Sequence, residues 1–167
     1  LLKHIDGLIV LSACSASFVH HPDHKEMLLD YIEAIGKNRV YLEIMPHDIP
    51  DQITTNKIVK ELSKELGIQL VATNDCHYPT AKSAMHQEVL LAIQTKRKWK
   101  DKDRWKFNCD GLFFRSEKEM FKAFQDQGCF TDGEIKRAIR RTVSVAKMCS
   151  NFRIPQQDIH LPSIKEF

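Results

Sequence analysis

Residues 71–78, Val-Ala-Thr-Asn-Asp-Cys-His-Tyr, carry an apolar run into a carboxylate and an imidazole two positions apart. On an extended backbone residues i and i+2 share a face, so Asp75 and His77 offer an oxygen and a nitrogen donor side by side. Such a pair suits zinc, manganese or iron, and a thiolate joining it favours zinc. A second apolar run ends at Cys14, and a third carries Glu43 with His47 just beyond it. The metal-ligand candidates are therefore Cys14, Asp75 and His77, with Glu43 and His47 adjacent to the site. Each residue type also has a plainer use. Asp-x-His serves as a cap and turn, a lone cysteine packs as a small hydrophobe, and a glutamate near a strand end can simply be wet. His47, between Pro46 and Asp48, is ordinary loop sequence. His20, His21 and His24 share a loop with Pro22 and rank below the strand-end set.

These residues need elements that bring them to one edge. Three apolar, β-branched runs at 8–14, 40–45 and 69–75 recur at intervals of roughly thirty residues, the spacing of a βα repeat. Their continuous apolar character predicts parallel strands covered on both faces. Between the first two, Met27, Leu28, Tyr31, Ile32 and Ile35 form one helical stripe stopped at Gly36. Between the second and third, Asp51 is expected to cap a helix that buries Ile58, Val59, Leu62 and Leu66 and ends at Gly67. A third helix, capped by Thr80 and running to Gln94, is expected to turn Met85, Val89, Leu90 and Ile93 inward. In βα folds loops converge at the carboxyl ends of the strands, which is where Cys14, Glu43, Asp75 and His77 fall.

Beyond residue 95 the pattern changes. Residues 95–111 have no period and read as a charged loop, followed by a short strand Leu-Phe-Phe-Arg-Ser and two helices opened by capping boxes, Ser116 with Glu119 and Thr131 with Glu134. The last helix is expected to bury Ile135, Ala138, Ile139, Val143, Ala146 and Cys149 and to expose Lys136, Arg137, Arg140, Arg141 and Lys147. The organisation predicted is βα units over 1–95, a basic loop and short strand over 96–115, a helical extension over 116–150 and a linker over 151–167. Residues 96–107 hold seven basic side chains, two aspartates and both tryptophans. Lys96, Arg97, Lys98 and Arg104 there could pair with phosphates while Trp99 and Trp105 stack on bases; the plainer use is a solvated loop anchored by its tryptophans.

The 167 residues are long enough for one ordinary domain, with 43% apolar and 28% charged residues. A net charge of +3 is too mild to imply nucleic-acid binding by itself. Five cysteines without a CxxC pair fit reduced thiols in the cytoplasm, and the N-terminal apolar run is too short to span a membrane. The chain begins with Leu1 and enters a strand almost at once, so an upstream portion is expected.

Taken together, GLIVLSAC, VYLEIMPHDIPDQ, GIQLVATNDCHY, AMHQEVLLAIQT, DGLFFRSEKEM, AIRRTVSVAKMC and HLPSI resemble, in order over residues 7–163, the second half of the PHP domain of bacterial replicative DNA polymerases of the polymerase III alpha family. The resemblance implies an α/β fold, part of a distorted β/α barrel of parallel strands, followed by a helical extension. It implies a strand-end metal cluster of phosphoesterase type, structural in some members and associated with 3′–5′ proofreading in others. Cys14 matches the family's late cysteine ligand, Asp75 and His77 its final Asp-x-His pair; Glu43 and His47 match a recurrent Glu and His, and His86 a helix-packing His. The family's remaining ligands would lie upstream of Leu1 and its magnesium-binding palm aspartates beyond Phe167. By this resemblance the chain is an internal piece of a larger enzyme in which zinc or manganese fills a completed site, magnesium serves the polymerase, and DNA, dNTP, the remaining polypeptide and other replisome subunits are partners. A small phosphoesterase of the histidinol-phosphatase type and a non-catalytic docking module are the alternatives.

Overall fold

The computed structural model describes residues 4–154. Three strands, β1 (Val10–Leu11), β2 (Val40–Ile44) and β3 (Gln69–Ala72), form one parallel sheet in the order β1-β2-β3. Val10 pairs with Val40, and Leu42 with Leu70. Spatial order equals chain order, as in a segment of a β/α barrel. All five residues of β2 are buried. Val40, Leu42 and Ile44 enter the main core, whereas Tyr41 and Glu43, which alternate with them, lie on the other face.

Two helices provide the crossovers. In α1 (His24–Ile35) the stripe Leu28, Tyr31, Ile32 and Ile35 packs on the core, and Gly36 ends it with a φ of 82°. In α2 (Pro50–Leu66) the buried stripe changes character along its length: Gln52, Thr55 and Asn56 near the carboxyl end of β2, then Val59 and Leu62. Proline at the first helical position costs no hydrogen bond there, and Gly67 closes the helix in the left-handed conformation. A separate helix, α3 (Ala84–Gln94), follows β3. Ser116 and Thr131 form full capping boxes with Glu119 and Glu134 at the starts of α4 (Glu117–Gln127) and α5 (Asp132–Met148). These two helices complete the core through Met120, Phe124, Ile135 and Ala138. Arg141 on α5 donates to the Leu70 carbonyl (3.1 Å), covering the outer edge of β3.

Several expectations give way to the structure. The first strand is two residues long, because the chain after Leu11 turns into the loop that meets Glu43. The segment 112–116 forms a single parallel bridge, Tyr78 to Phe113, instead of a strand. Ile49, not Asp51, is the cap residue of α2, since Pro50 already takes the first helical position. Thr80 precedes a 3-10 turn, and its hydroxyl meets Ser83. On α3 it is Leu91 and Ala92 that are buried, while Met85 (60% exposed), Val89, Leu90 and Ile93 (67%) face outward, as does His86. On α5 burial stops after Ile139; Val143, Ala146 and Cys149 are exposed, because the helix runs past the end of β3. Most of the expected linker, 155–167, lies outside the described residues.

Lys60 ties α2 to α5, donating to the Cys129 carbonyl and to Glu134 Oε2, both at 3.0 Å. Burial pushes the Glu134 carboxyl up, but hydrogen bonds from Thr131 and Lys60 outweigh it and hold the group below its ordinary range. A carboxyl depressed in the folded state stabilises the fold above its unfolded pKa, about 4.3, and that stabilisation is lost as pH falls through the lower folded value. Glu134→Gln is therefore expected to flatten the acid limb of a stability-versus-pH curve, measured as urea midpoints between about pH 6 and 3; an unchanged limb would assign acid lability elsewhere.

Candidate functional site

At the exit of β1 the backbone is stitched to β2. Ser12 N–H donates to the Tyr41 carbonyl (3.1 Å), and the Ser12 hydroxyl accepts from Glu43 N–H (2.8 Å). The Glu43 carboxylate in turn accepts from Ala13 N–H. Thus the buried charge of Glu43 is satisfied by the backbone that presents Cys14, a half-buried free thiol. Ala13 has φ 61°. Asp75, at the exit of β3, also has positive φ, 46°. A left-handed conformation costs a non-glycine residue on the order of 1 kcal/mol, and such strain concentrates at functional sites. Both strained residues sit next to a candidate ligand or are one.

The Asp75–His77 pair is held from several sides. Asn74 Nδ2 donates to the carbonyls of Gly111 (2.9 Å) and Phe113 (2.6 Å), His77 N–H to the Leu112 carbonyl (2.8 Å), and the Tyr78 hydroxyl to the Asp110 carbonyl (2.7 Å). Segment 110–113 is thereby fastened along the exit of β3. His77 Nε2 lies 3.4 Å from Asp75 Oδ1. The imidazole also packs on Phe107, ring centroids 4.4 Å apart, and Phe107 packs on Trp105 at 4.9 Å. One part of the basic loop therefore sets the orientation of His77.

His47 lies deeper. Gln127 Nε2 donates to its carbonyl (2.7 Å) and to that of Met45 (3.1 Å), while Asn56 on α2 donates to the Met45 carbonyl and to Gln127 Oε1, both at 2.8 Å. Asn56 Oδ1 accepts from Gln52 (3.0 Å) and from Met45 N–H (3.3 Å). This buried amide knot fixes the chain leaving β2. His47 is 5% exposed, and neither of its ring nitrogens has a hydrogen-bond partner among the described residues. The Asn74 backbone approaches the ring without reaching hydrogen-bond geometry. Burial, aided by the Arg115 guanidinium, pushes the imidazole below its ordinary pKa and favours the neutral form.

The predicted residues are thus brought together in two groups. Glu43 joins the Cys14 segment; Asp75 and His77 form a contact pair that, with Arg115, lies near enough to act electrostatically on His47. With β2 between them, the exits of β1 and β3 are about 10 Å apart. Among the described residues no three His, Cys, Asp or Glu side chains converge closely enough to hold a metal ion. Asp75 and His77 supply donors of the right chemistry, but by themselves they form a half-site. His20 turns to the Thr55 hydroxyl (2.9 Å) and His24 to the His21 carbonyl (2.7 Å), so those histidines do not converge either. Arg104 is turned inward, stacked on Trp99 at 4.3 Å and ion-paired with Glu88, and Arg97 pairs with Asp103 at 3.5 Å. Lys96, Lys98, Trp99 and Trp105 remain exposed. Asn74, Phe107, Gly111 and Arg115 were not anticipated; their roles depend on contacts 30 or more residues away in the chain, although Asn74 beside the Asp-x-His pair was a local signal.

No family model matches the sequence. Curated proteins do. The chain is 34% identical over 155 residues to the DNA polymerase III subunit alpha of Thermus aquaticus, covering 89% of the chain and 12% of that protein. It is 40% identical over 130 residues to that of Deinococcus radiodurans (74% and 10%) and 30% identical over 169 residues to that of Treponema pallidum (97% and 14%). The chain spans about an eighth of the length of the relatives it matches. No helix among the described residues is long and apolar enough to cross a membrane. This α/β segment of parallel strands in sequential order, aligned over 74–97% of its own length with 10–14% of these subunits, belongs to the DNA polymerase III alpha family.

Proposed function

We propose that these residues are the C-terminal half of the PHP portion of a replicative DNA polymerase, either a structural element of the parent enzyme or one that supports its 3′–5′ proofreading. The observation carrying this reading is the placement of Cys14, Glu43 and the Asp75–His77 pair at the carboxyl ends of three successive parallel strands, with left-handed backbone at Ala13 and Asp75. A bound zinc or manganese cluster would supply an activated water and neutralise phosphate charge. Cys14, Asp75 and His77 would contribute a sulfur, an oxygen and a nitrogen to it, the other donors coming from elsewhere in the polymerase. Phe107 and the 110–113 segment hold the pair in position. The exposed Lys96, Lys98, Trp99 and Trp105 offer a strand of DNA phosphate and stacking contacts of low sequence preference, while Arg104 shapes the loop. Polymerisation itself, with its magnesium ions and dNTP, belongs to other parts of the parent protein.

Zinc content tests this reading. The chain alone should retain less than one tightly held zinc by elemental analysis. Co-expression with an upstream segment carrying the family's remaining ligands should raise the content to stoichiometric levels, and His77→Ala should lower affinity by about tenfold or more. Full zinc loading that survives both His77→Ala and Cys14→Ser would remove these residues from any metal site.

A further inference from the structure

Between the exit of β2 and the first turns of α4 lies an open cleft of about 530 Å³, lined on one side by His47 and on the other by Arg115, Lys118 and Lys122. Two of its donors are unspent. Both His47 ring nitrogens, one of which carries the hydrogen of the neutral imidazole, and Arg115 Nε are buried without a partner among the described residues. Of the acids in the wall, Glu119 accepts from Ser116 at the start of α4 and Asp126 pairs with Lys122, while Asp48 is exposed. Gly111 makes the approach of the two donors feasible. A Cβ there would collide with the Arg115 guanidinium and lie 3.4 Å from His47 Nδ1, so the imidazole and the guanidinium meet over a bare Cα.

A buried polar group without a partner costs about 1–3 kcal/mol, and in native proteins it commonly marks an ion or water that completes the site. A cation is disfavoured beside Arg115. An anion accepts from both donors, and a tetrahedral one has oxygens to spare for Lys118. We propose that this cleft binds a phosphate group, with His47 and Arg115 as the buried donors and Lys118 as the counter-charge at the mouth. The cleft is larger than one phosphate, so the group arrives on a nucleotide or a DNA strand. The cleft adjoins the Asp75–His77 pair, which acts electrostatically on His47, but none of Cys14, Asp75 and His77 lines it.

The test is an NMR titration of the 167-residue chain, following the His47 imidazole resonances at constant ionic strength with inorganic phosphate, a deoxynucleoside monophosphate and a short single-stranded oligonucleotide as separate arms. A saturating His47 shift in any arm supports the site, and the tightest arm identifies the source of the phosphate. Arg115→Met should weaken that binding by about tenfold or more, as expected for a lost charged hydrogen bond. Gly111→Ala, which displaces the guanidinium without removing a donor, should weaken it too. If Arg115→Met fails to fold, Arg115→Lys replaces it, keeping the charge and losing the fork. No saturating shift in any arm, or an affinity unchanged in both the Arg115 variant and Gly111→Ala, overturns the proposal; neither result bears on zinc content.

Discussion

Replacing Phe124 by alanine should lower the unfolding free energy by about 3–5 kcal/mol, the usual cost of emptying a buried aromatic position. Phe124 is fully buried and meets Phe130 edge to face, centroids 6.0 Å apart and planes at 85°. Its neighbours in the core come from α2, the strands and α5, so the vacated volume would be walled by several elements that cannot all close in. Against a total of about 5–15 kcal/mol for a domain of this kind, the loss is a large fraction. Urea unfolding of Phe124→Ala measures it, with Phe114→Ala as the companion, since Phe114 is 77% exposed and its removal should cost within about 0.5 kcal/mol. Equal effects at the two positions would mean that α4 is not docked as described.

Asn56→Ala should cost about 2–4 kcal/mol for a different reason. The side chain is wholly buried and serves four partners: Met45 N–H and carbonyl, Gln52 and Gln127. Truncation leaves the Met45 N–H and the Gln52 amide without their acceptor in the interior, and water admitted there would compete for the bonds that hold His47. A double-mutant cycle with Gln127→Ala reads the coupling directly. The two losses should fall short of additivity by at least about 0.5 kcal/mol; simple addition would show that the amides act independently.

Both positions illustrate what a sequence reveals and what it hides. Strand and helix periods, the Ser116 and Thr131 capping boxes and the strand-end placement of Asp75 and His77 were legible, because each is a local signal carried by neighbouring residues. The direction faced by α3 was not. Its apolar stripe Met85-Val89-Ile93 is genuine, but periodicity reports that a face is apolar and cannot say which neighbour covers it; the helix instead seats Leu91 and Ala92. Asn56 reads as one more polar helix residue, and its importance comes from Gln127, 71 positions away. Likewise nothing near His47 in the chain announces Arg115 or Gly111. Glu43 was flagged because a glutamate in an apolar strand demands a partner, but that partner proved to be a backbone N–H, a group common to every residue except proline.

The two margins of the sheet are unlike. Along β3, Arg141 takes the Leu70 carbonyl and the 110–113 segment occupies the exit, so that side is partly covered. Along β1, only two residues long, no strand among the described residues occupies the outer side. A strand that extends the sheet on the open side would pair beside Val10 and Leu11, along the shortest of the three strands.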